Sequence, residues 1–380
     1  MSDWTQAGLT RLTLTDFRNY ERLDLVFTGQ LVAFVGDNGI GKTNILEAIS
    51  FLTAGRGLRR AAISDIARLG GSGGWSVSAS MVRDDLDTRI GTGLTPGEAG
   101  RRVRIDGEDA RSSEALLDYM RVLWLVPAMD GLFTGPAGDR RRFLDRLTLS
   151  LDPSHGRRVA DFEKALRQRN RLLDQGGSAS YLSAIETQVA ELGTAVSIAR
   201  SETVSLLSET VRLQAEGGLP FPLAKLALEG AFETGTLGLS AIDREDLFRE
   251  WLEEGRGRDR AAGRTLTGPH LSDLHVRHAA KDMPASQSST GEQKALLIGL
   301  VLAHAELTAQ VSGMKPVLLL DEIAAHLDPG RRKALFDKLQ GLGGQVFMTG
   351  TDRALFEGLP EGGEIFRIAQ GGTAMRDPVE

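Results

Sequence analysis

The chain has 380 residues, 41% of them hydrophobic and 25% charged, so it can bury a substantial core and is long enough for about two or three domains. Because it has no cysteine, a disulfide framework, a thiolate metal site and a cysteine nucleophile are excluded, and its six histidines show no ligand-like spacing. The net charge of −6 argues against a generally basic coat, so any DNA contact must come from local clusters of Arg and Lys.

The predicted location of the protein is the cytoplasm. We find no uninterrupted apolar run close to the roughly 20 residues that span a bilayer. The N-terminus, with Asp3 and Thr5, lacks the basic and apolar regions of a signal peptide. We therefore expect a soluble protein without a membrane partner.

The N-terminal part predicts strands that lead into a helix. Apolar and polar residues alternate over 9–14 and 23–27, and a continuous apolar run follows at 31–35. A glycine-rich stretch comes next, and residues 43–52 have helical spacing. Strand-like segments at 75–82 and 102–105 then predict a β-rich side sheet.

The middle of the chain changes to a helical period over 140–214. Apolar positions there step by alternating threes and fours, as in a coiled-coil seam, which predicts a long helix packed on a neighbour. These positions are Leu182, Ile185, Val189, Leu192, Val196 and Ala199. Residues 217–268 contain several Gly and Pro residues, so we predict a looser connection there. After Gly291 the pattern is helix, strand 317–320, helix 331–339 and strand 345–348, which indicates an α/β sheet.

A phosphate-binding loop is predicted between the buried strand and the first helix. The residues from Gly36 to Thr43 satisfy the pattern GxxxxGK[ST] in the strand–loop–helix context that it requires. The glycines let backbone N–H groups surround phosphate oxygens, Lys42 reaches the β and γ phosphates, and the Thr43 hydroxyl suits Mg²⁺. The alternative is a glycine-rich turn that merely precedes a helix. The predicted ATP-binding residues are Gly36, Asp37, Asn38, Gly39, Ile40, Gly41, Lys42, Thr43 and Asn44.

An apolar strand that ends in two carboxylates, residues 316–322, suits a Walker B element beside the P-loop strand. Asp321 would hold Mg²⁺ together with Thr43, and Glu322 would polarise the attacking water. We accordingly predict Glu322 and Lys42 as the catalytic residues. Two acids at a strand end can also be an ordinary solvated terminus, but the P-loop upstream favours the functional interpretation.

A second anion site is predicted at residues 288–294, SSTGEQK, immediately before a long apolar helix. Ser289, Gly291 and Glu292 are its candidate ATP-binding residues, because a hydroxyl, a glycine backbone and a helix N-terminus can face one phosphate. The alternative is a serine N-cap with Glu292 in the first turn of the helix.

Together these segments resemble the ABC-type ATPases, with residues 288–294 as the signature motif and His326-Leu327-Asp328 as the D-loop. Two differences from that class are the stretch Thr349–Asp352, where many members carry a switch histidine, and the lack of an evident Q-loop glutamine. We therefore expect slow hydrolysis, suited to a switch. In the ABC class the resemblance implies that a signature closes on ATP held by a second subunit.

The chain further resembles the RecF family, whose motifs it carries along most of its length. The separation of Thr43 and Asp321 lies between that of transporter ATPases and that of SMC proteins. Two short segments differ from the family pattern, Pro127–Asp130 and Leu271-Ser272. The matching segments are 14–21 (LTDFRNYE), 39–48 (GIGKTNILEA), 135–145 (GPAGDRRRFLD), 167–170 (RQRN) and 268–274 (GPHLSDL).

This resemblance implies an α/β fold: an ABC-type head of mixed sheet, flanking helices and a β side sheet, with an inserted helical lobe that carries a short coiled-coil-like helix pair. We expect residues 1–125 and 295–380 to form the ATPase lobe, and 126–294 the inserted lobe. The implied function is ATP-dependent DNA binding in recombinational repair, replication-fork maintenance and the SOS response, with weak DNA-stimulated ATPase activity.

The resemblance also implies ATP and Mg²⁺ as cofactors and several partners. These are duplex and gapped DNA with single-strand/double-strand junctions, a second copy of the chain in an ATP-dependent homodimer, RecR and RecO, and indirectly RecA. Two alternatives remain, a nucleotide-gated scaffold that does not need hydrolysis and a transport-type ABC ATPase.

Three arginine clusters are candidates for DNA contact, because phosphate neutralisation needs grouped cations. They are Arg56 with Arg59 and Arg60, Arg140–Arg142, and the series from Arg256 to Arg264. Such runs are often solvated faces or intrachain ion pairs, and Asp139 and Asp145 beside the second cluster fit that alternative.

Overall fold

The computed structural model describes residues 7–83, 86–216, 221–369 and 373–377. Within these ranges the chain forms two compact units. The first contains described residues up to 130 and from 301 onward, and the second contains those of 131–300. The sequence predicts the division at 125/126 and 294/295, a few residues earlier at each boundary.

The strands and helices fall into three stretches of the chain. The N-terminal part contains β1 (Ala7–Phe17), β2 (Tyr20–Val26), β3 (Leu31–Val35), α1 (Lys42–Ser50), β4 (Trp75–Arg83), β5 (Leu86–Leu94), β6 (Arg102–Ile105), β7 (Glu108–Asp109) and β8 (Val122–Leu125). The middle contains α2 (Ala137–Leu151), α3 (His155–Asp174), α4 (Ala179–Glu216), β9 (Ala224–Glu229), α5 (Ala231–Gly235), α6 (Ala241–Glu254), α7 (Arg256–Ala262), β10 (Asp273–His278) and β11 (Met283–Pro284). The C-terminal part contains α8 (Thr290–Ser312), β12 (Val317–Leu320), α9 (Pro329–Leu342), β13 (Val346–Gly350), β14 (Glu364–Ile368) and β15 (Ala374–Asp377).

The first unit has a central sheet with strand order β15-β14-β3-β13-β12-β8. From β14 to β8 all neighbours are parallel, and β15 is antiparallel. Every residue of β3, β12 and β13 is buried, as expected for parallel strands covered on both faces. Parallel strands end at a common edge, so the loops after β3, β12 and β13 lie together.

The expected position of the Walker B strand directly beside the P-loop strand is wrong. β13 lies between β3 and β12 and pairs with both. The sequence indicates that each strand exists but not their order, because order depends on pairing between segments far apart in the chain. The consequence is that the end of β13 borders both the P-loop and the Walker B carboxylates.

The predicted side sheet is confirmed as an antiparallel sheet of order β2-β1-β4-β5-β6-β7. Its inward residues alternate with outward polar residues, which is why the pattern is visible in the sequence. A single hydrophobic core joins this sheet to α1 and to the central sheet, and includes Leu14, Val77, Ile45 and Phe347. The polar side chain of Gln345 adds a second link, since its amide exchanges hydrogen bonds of 2.7 and 3.0 Å with the backbone of Leu9.

In the second unit, the predicted long helix is confirmed as α4, which packs against α3 and α6. Its seam positions Leu182, Val189 and Val196 are buried. The predicted looser connection over 217–268 is wrong for its described residues, which form β9 and helices α5 to α7. Phe248 and Leu252 of α6 are fully buried in the core of this unit, so the segment is held by packing that its glycines conceal in the sequence.

Helix α8 is the one described helix with the length and composition to cross a membrane. Inspection of the sequence for uninterrupted apolar runs misses it, because isolated polar residues interrupt the run. In its most apolar window 67% is buried inside the protein. Mostly buried helices in the cores of globular proteins have the same length and composition.

Candidate nucleotide-binding site

The P-loop between β3 and α1 has a backbone that only glycine adopts readily. Gly36 has φ of 150° and Gly41 has φ of 116°. A Cβ atom at Gly36 would lie 2.6 Å from the carbonyl oxygen of Ile368, and one at Gly41 would lie 2.7 Å from the hydroxyl of Tyr20. The positions therefore require glycine both for conformation and for space.

The other predicted loop residues have different surroundings. Asp37 and Asn38 are exposed at the tip, with Gly39 at φ of 79° beside them. Ile40 is half-buried and packs against the core of the first unit. The loop is thus anchored at its base and open to solvent at its tip.

Lys42 is buried at the start of α1, with 5% of its surface exposed. Its ammonium group donates hydrogen bonds of 2.6 Å to the carbonyl of Gly36 and 2.8 Å to that of Asp37. Burial lowers the pKa of Lys42, while the carboxylates of Glu322, Asp321 and Asp37 oppose that shift by attraction. The loop therefore holds a cation against its own backbone, next to both Walker B acids.

Thr43 and Asp321 meet as the sequence predicts for residues that share a metal. The Thr43 hydroxyl lies 3.0 and 3.1 Å from the two carboxylate oxygens of Asp321. A hydroxyl and a carboxylate are hard oxygen donors, which is the chemistry that Mg²⁺ prefers. This donor set fits Mg²⁺ together with substrate phosphates.

Glu322 has an unusual backbone for a non-glycine residue, with φ of 55° and ψ of 22°. This left-handed conformation costs roughly 1–2 kcal/mol for an L-residue. Its N–H donates a hydrogen bond of 2.9 Å to the hydroxyl of Thr349, at the end of β13. Strain of this kind is often found at functional sites.

A hydrogen-bonded chain between two of the RecF-like segments, 14–21 and 39–48, supports the P-loop from the side; the sequence shows the segments but not the bonds between them. Asn19 donates to the carbonyl of Ile40 at 3.0 Å and accepts from the Asn44 amide at 2.7 Å. Asn44 in turn accepts from Arg59 at 2.6 Å. The predicted ATP-binding residue Asn44 therefore connects the loop to the segment after α1.

The centre of the same chain is Glu47, which is fully buried. It forms ion pairs of 2.6 Å with Arg18 and with Arg59. One signal was present in the sequence, namely a glutamate among the apolar positions of α1. The segment LTDFRNYE thus has a clear structural role, since Arg18 and Asn19 both fix the P-loop helix.

The signature residues lie at the start of α8 in the second unit. Ser289 N–H donates to Glu292 at 3.1 Å, and Glu292 N–H donates to the Ser289 hydroxyl at 3.3 Å. These two bonds form a capping box, the alternative that the sequence leaves open. Lys281 donates to Glu292 at 2.5 Å, and chiefly this bond lowers the pKa of Glu292 to about 2.

Capping does not remove the signature from solvent. Ser289 and Gly291 are exposed, and a Cβ atom at Gly291 would meet nothing within 4 Å. The N-terminus of a long helix also carries partial positive charge. The segment is therefore accessible to an anion from outside the chain.

The D-loop residue Asp328 caps α9 by accepting from the N–H of Arg331 at 2.9 Å. Leu327 is buried, and the side chain of His326 lies outside the described structure. In the stretch Thr349–Asp352, Thr349 is completely buried and Asp352 caps the following turn.

Comparison with known proteins agrees with this geometry. The family described as "RecF/RecN/SMC N terminal domain" matches residues 8–373. A relative from Mesorhizobium japonicum, described as "DNA replication and repair protein RecF", is 56% identical over 96% of this chain and 97% of its own length. The protein of the same description from Brucella suis biovar 1 is 56% identical over 96% of each chain. The chain belongs to the RecF family.

Solved structures show the same fold. The recombination mediator protein RecF bound to ATP, from the RecFOR pathway, has a TM-score of 0.86 at 22% identity over 98% of both chains. The Smc head domain of Pyrococcus furiosus, bound to a domain of ScpA, has a TM-score of 0.54 at 17% identity over 98% of this chain and 96% of its own. The predicted ABC-type fold is therefore confirmed.

The RecF-family segments of the second unit form ion pairs that are buried or partly buried. Arg140 binds Asp273 with bonds of 2.7 and 2.8 Å. Asp145 receives two bonds from Arg200, of 2.7 and 2.9 Å. Arg169 is completely buried among acidic and carbonyl partners. These pairs join α2 to β10 and to α4, and α3 to α4 and α7.

The three arginine clusters proposed for DNA contact therefore differ in how many of their side chains are already bonded within the chain. Arg140 is engaged with Asp273, Arg141 donates to a carbonyl at 2.8 Å and Arg142 pairs with Asp139, so intrachain pairing is the observed state of that cluster. Arg256 pairs with Glu186. Within the described residues, the exposed cluster side chains that form neither an ion pair nor a hydrogen bond are Arg56 in the first cluster and Arg258 and Arg264 in the third.

Proposed function

We propose that this protein is an ATP-dependent DNA-binding protein of recombinational repair and replication-fork maintenance. Membership of the RecF family supports this, as do two relatives described as DNA replication and repair proteins. The observation that carries the ATP-dependent part is the meeting of Thr43 and Asp321 beside the buried Lys42. We further propose that the protein acts in the cytoplasm.

Each residue has a distinct task in the proposed hydrolysis. Lys42 binds the β and γ phosphates through its ammonium group, and the P-loop backbone surrounds them. Thr43 and Asp321 would hold Mg²⁺, which when bound neutralises charge on the phosphate oxygens. Glu322 orients and polarises the attacking water.

Hydrolysis is proposed to be slow and stimulated by DNA. Among the described residues, no histidine lies at the end of β13, where Thr349 and Gly350 stand. A weak ATPase suits a switch, since the ATP-bound form then lasts long enough to act on DNA. The signature of one subunit is proposed to contact the γ-phosphate held by the other.

ATP would therefore close a homodimer on duplex DNA near single-strand gaps, and hydrolysis would reopen it. Closing requires ATP to bind the dimer more tightly than the monomer. RecO and RecR are the proposed partners, and loading of RecA onto single-stranded DNA the proposed outcome. Arg56 is the first candidate for a phosphate contact, because it is exposed and has no intrachain ion pair among the described residues.

The test compares molar mass and duplex-DNA binding with and without ATP and Mg²⁺. The variant Ser289→Arg places a long side chain at the exposed start of α8. This side chain should prevent the signature from contacting the γ-phosphate of ATP bound by a partner subunit. Ser205→Arg, at an exposed serine of α4, adds the same charge elsewhere in the same unit. We expect ATP to drive dimerisation and DNA binding in the parent and in Ser205→Arg only.

Two results would contradict the proposal. If ATP changes neither the molar mass nor the DNA binding of the parent, the protein is not a nucleotide-dependent switch. Equal loss in Ser289→Arg and Ser205→Arg would show that added charge, and not a blocked signature, was responsible.

A further inference from the structure

Thr349 lies near the end of β13, between the P-loop strand β3 and the Walker B strand β12. It is completely buried. Its hydroxyl donates a hydrogen bond of 2.6 Å to Asp321 Oδ1 and accepts one of 2.9 Å from the N–H of Glu322. One side chain thus contacts both Walker B residues.

We infer that Thr349 is a positioning residue for ATP hydrolysis, which fixes the carboxylate of Asp321 and the backbone of Glu322 through one hydroxyl group. This inference rests on the proposed ATPase function. It assigns a role at the strand end where the chain lacks a histidine.

The direction of each bond gives the hydroxyl a single orientation. The Glu322 N–H can only donate, so the threonine oxygen must accept there and its one hydrogen is free to point at Asp321. Asp321 then has a hydroxyl on each side, since Thr43 lies 3.0 Å from the same Oδ1 atom. The carboxylate that would hold Mg²⁺ is therefore set in orientation from the β13 side as well as from the P-loop.

The second bond acts on Glu322 through its strained backbone. A left-handed glutamate persists only where its surroundings hold it, and the bond to Thr349 satisfies its N–H in that conformation. The carboxylate of Glu322 is close enough to Lys42 to oppose the lowering of the Lys42 pKa. Loss of the hydroxyl would leave this N–H without its partner and loosen the position of the catalytic carboxylate of Glu322.

Neighbouring residues cannot take the same role. A Cβ atom at Gly350 would lie 2.5 Å from the ring of Phe356, so there is no room for a side chain. Thr351 is exposed, and Asp352 is used to cap the next turn with a bond of 2.9 Å to Ala354 N–H. Thr349 is the residue of this strand end that reaches the Walker B acids.

The experiment compares Thr349→Val with Thr349→Ser. Valine keeps the shape and removes the hydroxyl, whereas serine keeps the hydroxyl and removes the methyl group. Steady-state hydrolysis gives kcat and KM for ATP, and calorimetric titration of Mg²⁺ into ADP-loaded protein gives metal affinity without turnover. Nucleotide binding in EDTA reports on the P-loop alone.

We expect Thr349→Val to lose kcat and Mg²⁺ affinity by about 10- to 100-fold, as is typical when the partner of a metal ligand is removed. Binding of nucleotide in EDTA should remain within about twofold, since Lys42 and the glycines are untouched, and Thr349→Ser should restore most of both losses. If Thr349→Val does not fold, Thr349→Ala takes its place, because it also lacks the hydroxyl and adds no bulk.

Parental kcat and Mg²⁺ affinity in the folded valine or alanine variant would overturn the inference, and so would equal losses in valine and serine variants. Failure of the proposed function would look different: the parent would not hydrolyse ATP, and Lys42→Met would leave nucleotide binding unchanged. In that case titration of Mg²⁺ into nucleotide-free protein, parent against Thr349→Val, decides whether Thr349 positions Asp321.

Discussion

The buried guanidinium of Arg169 allows a stability prediction of large size. It donates to Glu186 at 3.0 Å, to Asp259 at 2.6 Å and to the carbonyl of Leu252 at 2.6 Å, all within the second unit. Arg169→Met keeps a long unbranched side chain but removes the charge and every donor. Glu186 retains its pair with Arg256, whereas Asp259 loses its arginine partner.

Removing one partner of a buried ion pair costs about 3–5 kcal/mol, because it leaves an uncompensated charge. The net stability of a domain is about 5–15 kcal/mol, so the second unit should lose a large share of it. A second change, Asp259→Asn, removes the orphaned charge. We expect the double variant to be less destabilised than the sum of the two single variants, since the residues contact each other.

Urea denaturation followed by circular dichroism measures the loss, and hydrogen exchange locates it. Protection of backbone amides should fall in α3, α4 and α7 and persist in α1 and the central sheet. A loss below about 1 kcal/mol for Arg169→Met, or strictly additive effects in the double variant, would refute the argument that charge desolvation dominates this site.

Four further predictions concern the two anion sites and DNA. Glu322→Gln should bind ATP as the parent does, but its hydrolysis rate should be at least about 100-fold lower and its release from DNA slower. If DNA binding and release are unchanged in this variant, a nucleotide-gated scaffold is favoured. Glu322→Gly should be more stable to urea than Glu322→Ala by about 0.5–1 kcal/mol, since glycine relieves the left-handed strain, and the opposite order would show that the strain is absent. The folded-state pKa of Glu292 is lowered to about 2, so its capping of α8 should stabilise the helix fully above its unfolded pKa, and this stabilisation should be lost as pH falls toward 2. Lys281→Met should shift the loss to higher pH, as measured by hydrogen exchange of α8 in an acid titration. Arg56→Ala should reduce the slope of log binding constant against log salt concentration for duplex DNA by about one unit. Arg59→Ala should change this slope less, because the Arg59 side chain is paired with Glu47. Equal slopes in the two variants would show that Arg56 does not contact phosphate.

The parts of the site that could be predicted are those that one short segment carries. Gly36 to Thr43 lie within a single loop, and Asp321 and Glu322 end a single apolar strand, so residue type and spacing define each part. The meeting of Thr43 with Asp321 followed from the chemistry of the motifs, although the two residues are 278 positions apart. The sheet and the long helix were visible because their apolar periods of two and of three to four are local properties.

The parts that could not be predicted depend on pairing between distant segments. Thr349 follows the predicted strand 345–348, in the stretch that lacks a switch histidine, and its contact with Asp321 becomes visible only when β13 is placed between β3 and β12. Asn19 lies 25 positions from Asn44, and Glu47 binds arginines on both sides of it in the chain. Helices α5 to α7 were missed because glycines mark their ends, and glycines also mark loops.

The two adjacent Walker B acids show how the local backbone conformation directs two carboxylates to different tasks. In a continuing strand, Asp321 and Glu322 would point to opposite faces. The turn to a left-handed conformation at Glu322 ends the strand there, with Asp321 bonded to Thr43 and Glu322 held by its N–H. Thr349 bonds both residues through one hydroxyl group, so we expect metal binding and water activation to weaken together when it is removed. If separate residues positioned Asp321 and Glu322, one function could be lost without the other. Comparing the Mg²⁺ affinity of the Thr349 variants with their kcat distinguishes these two cases.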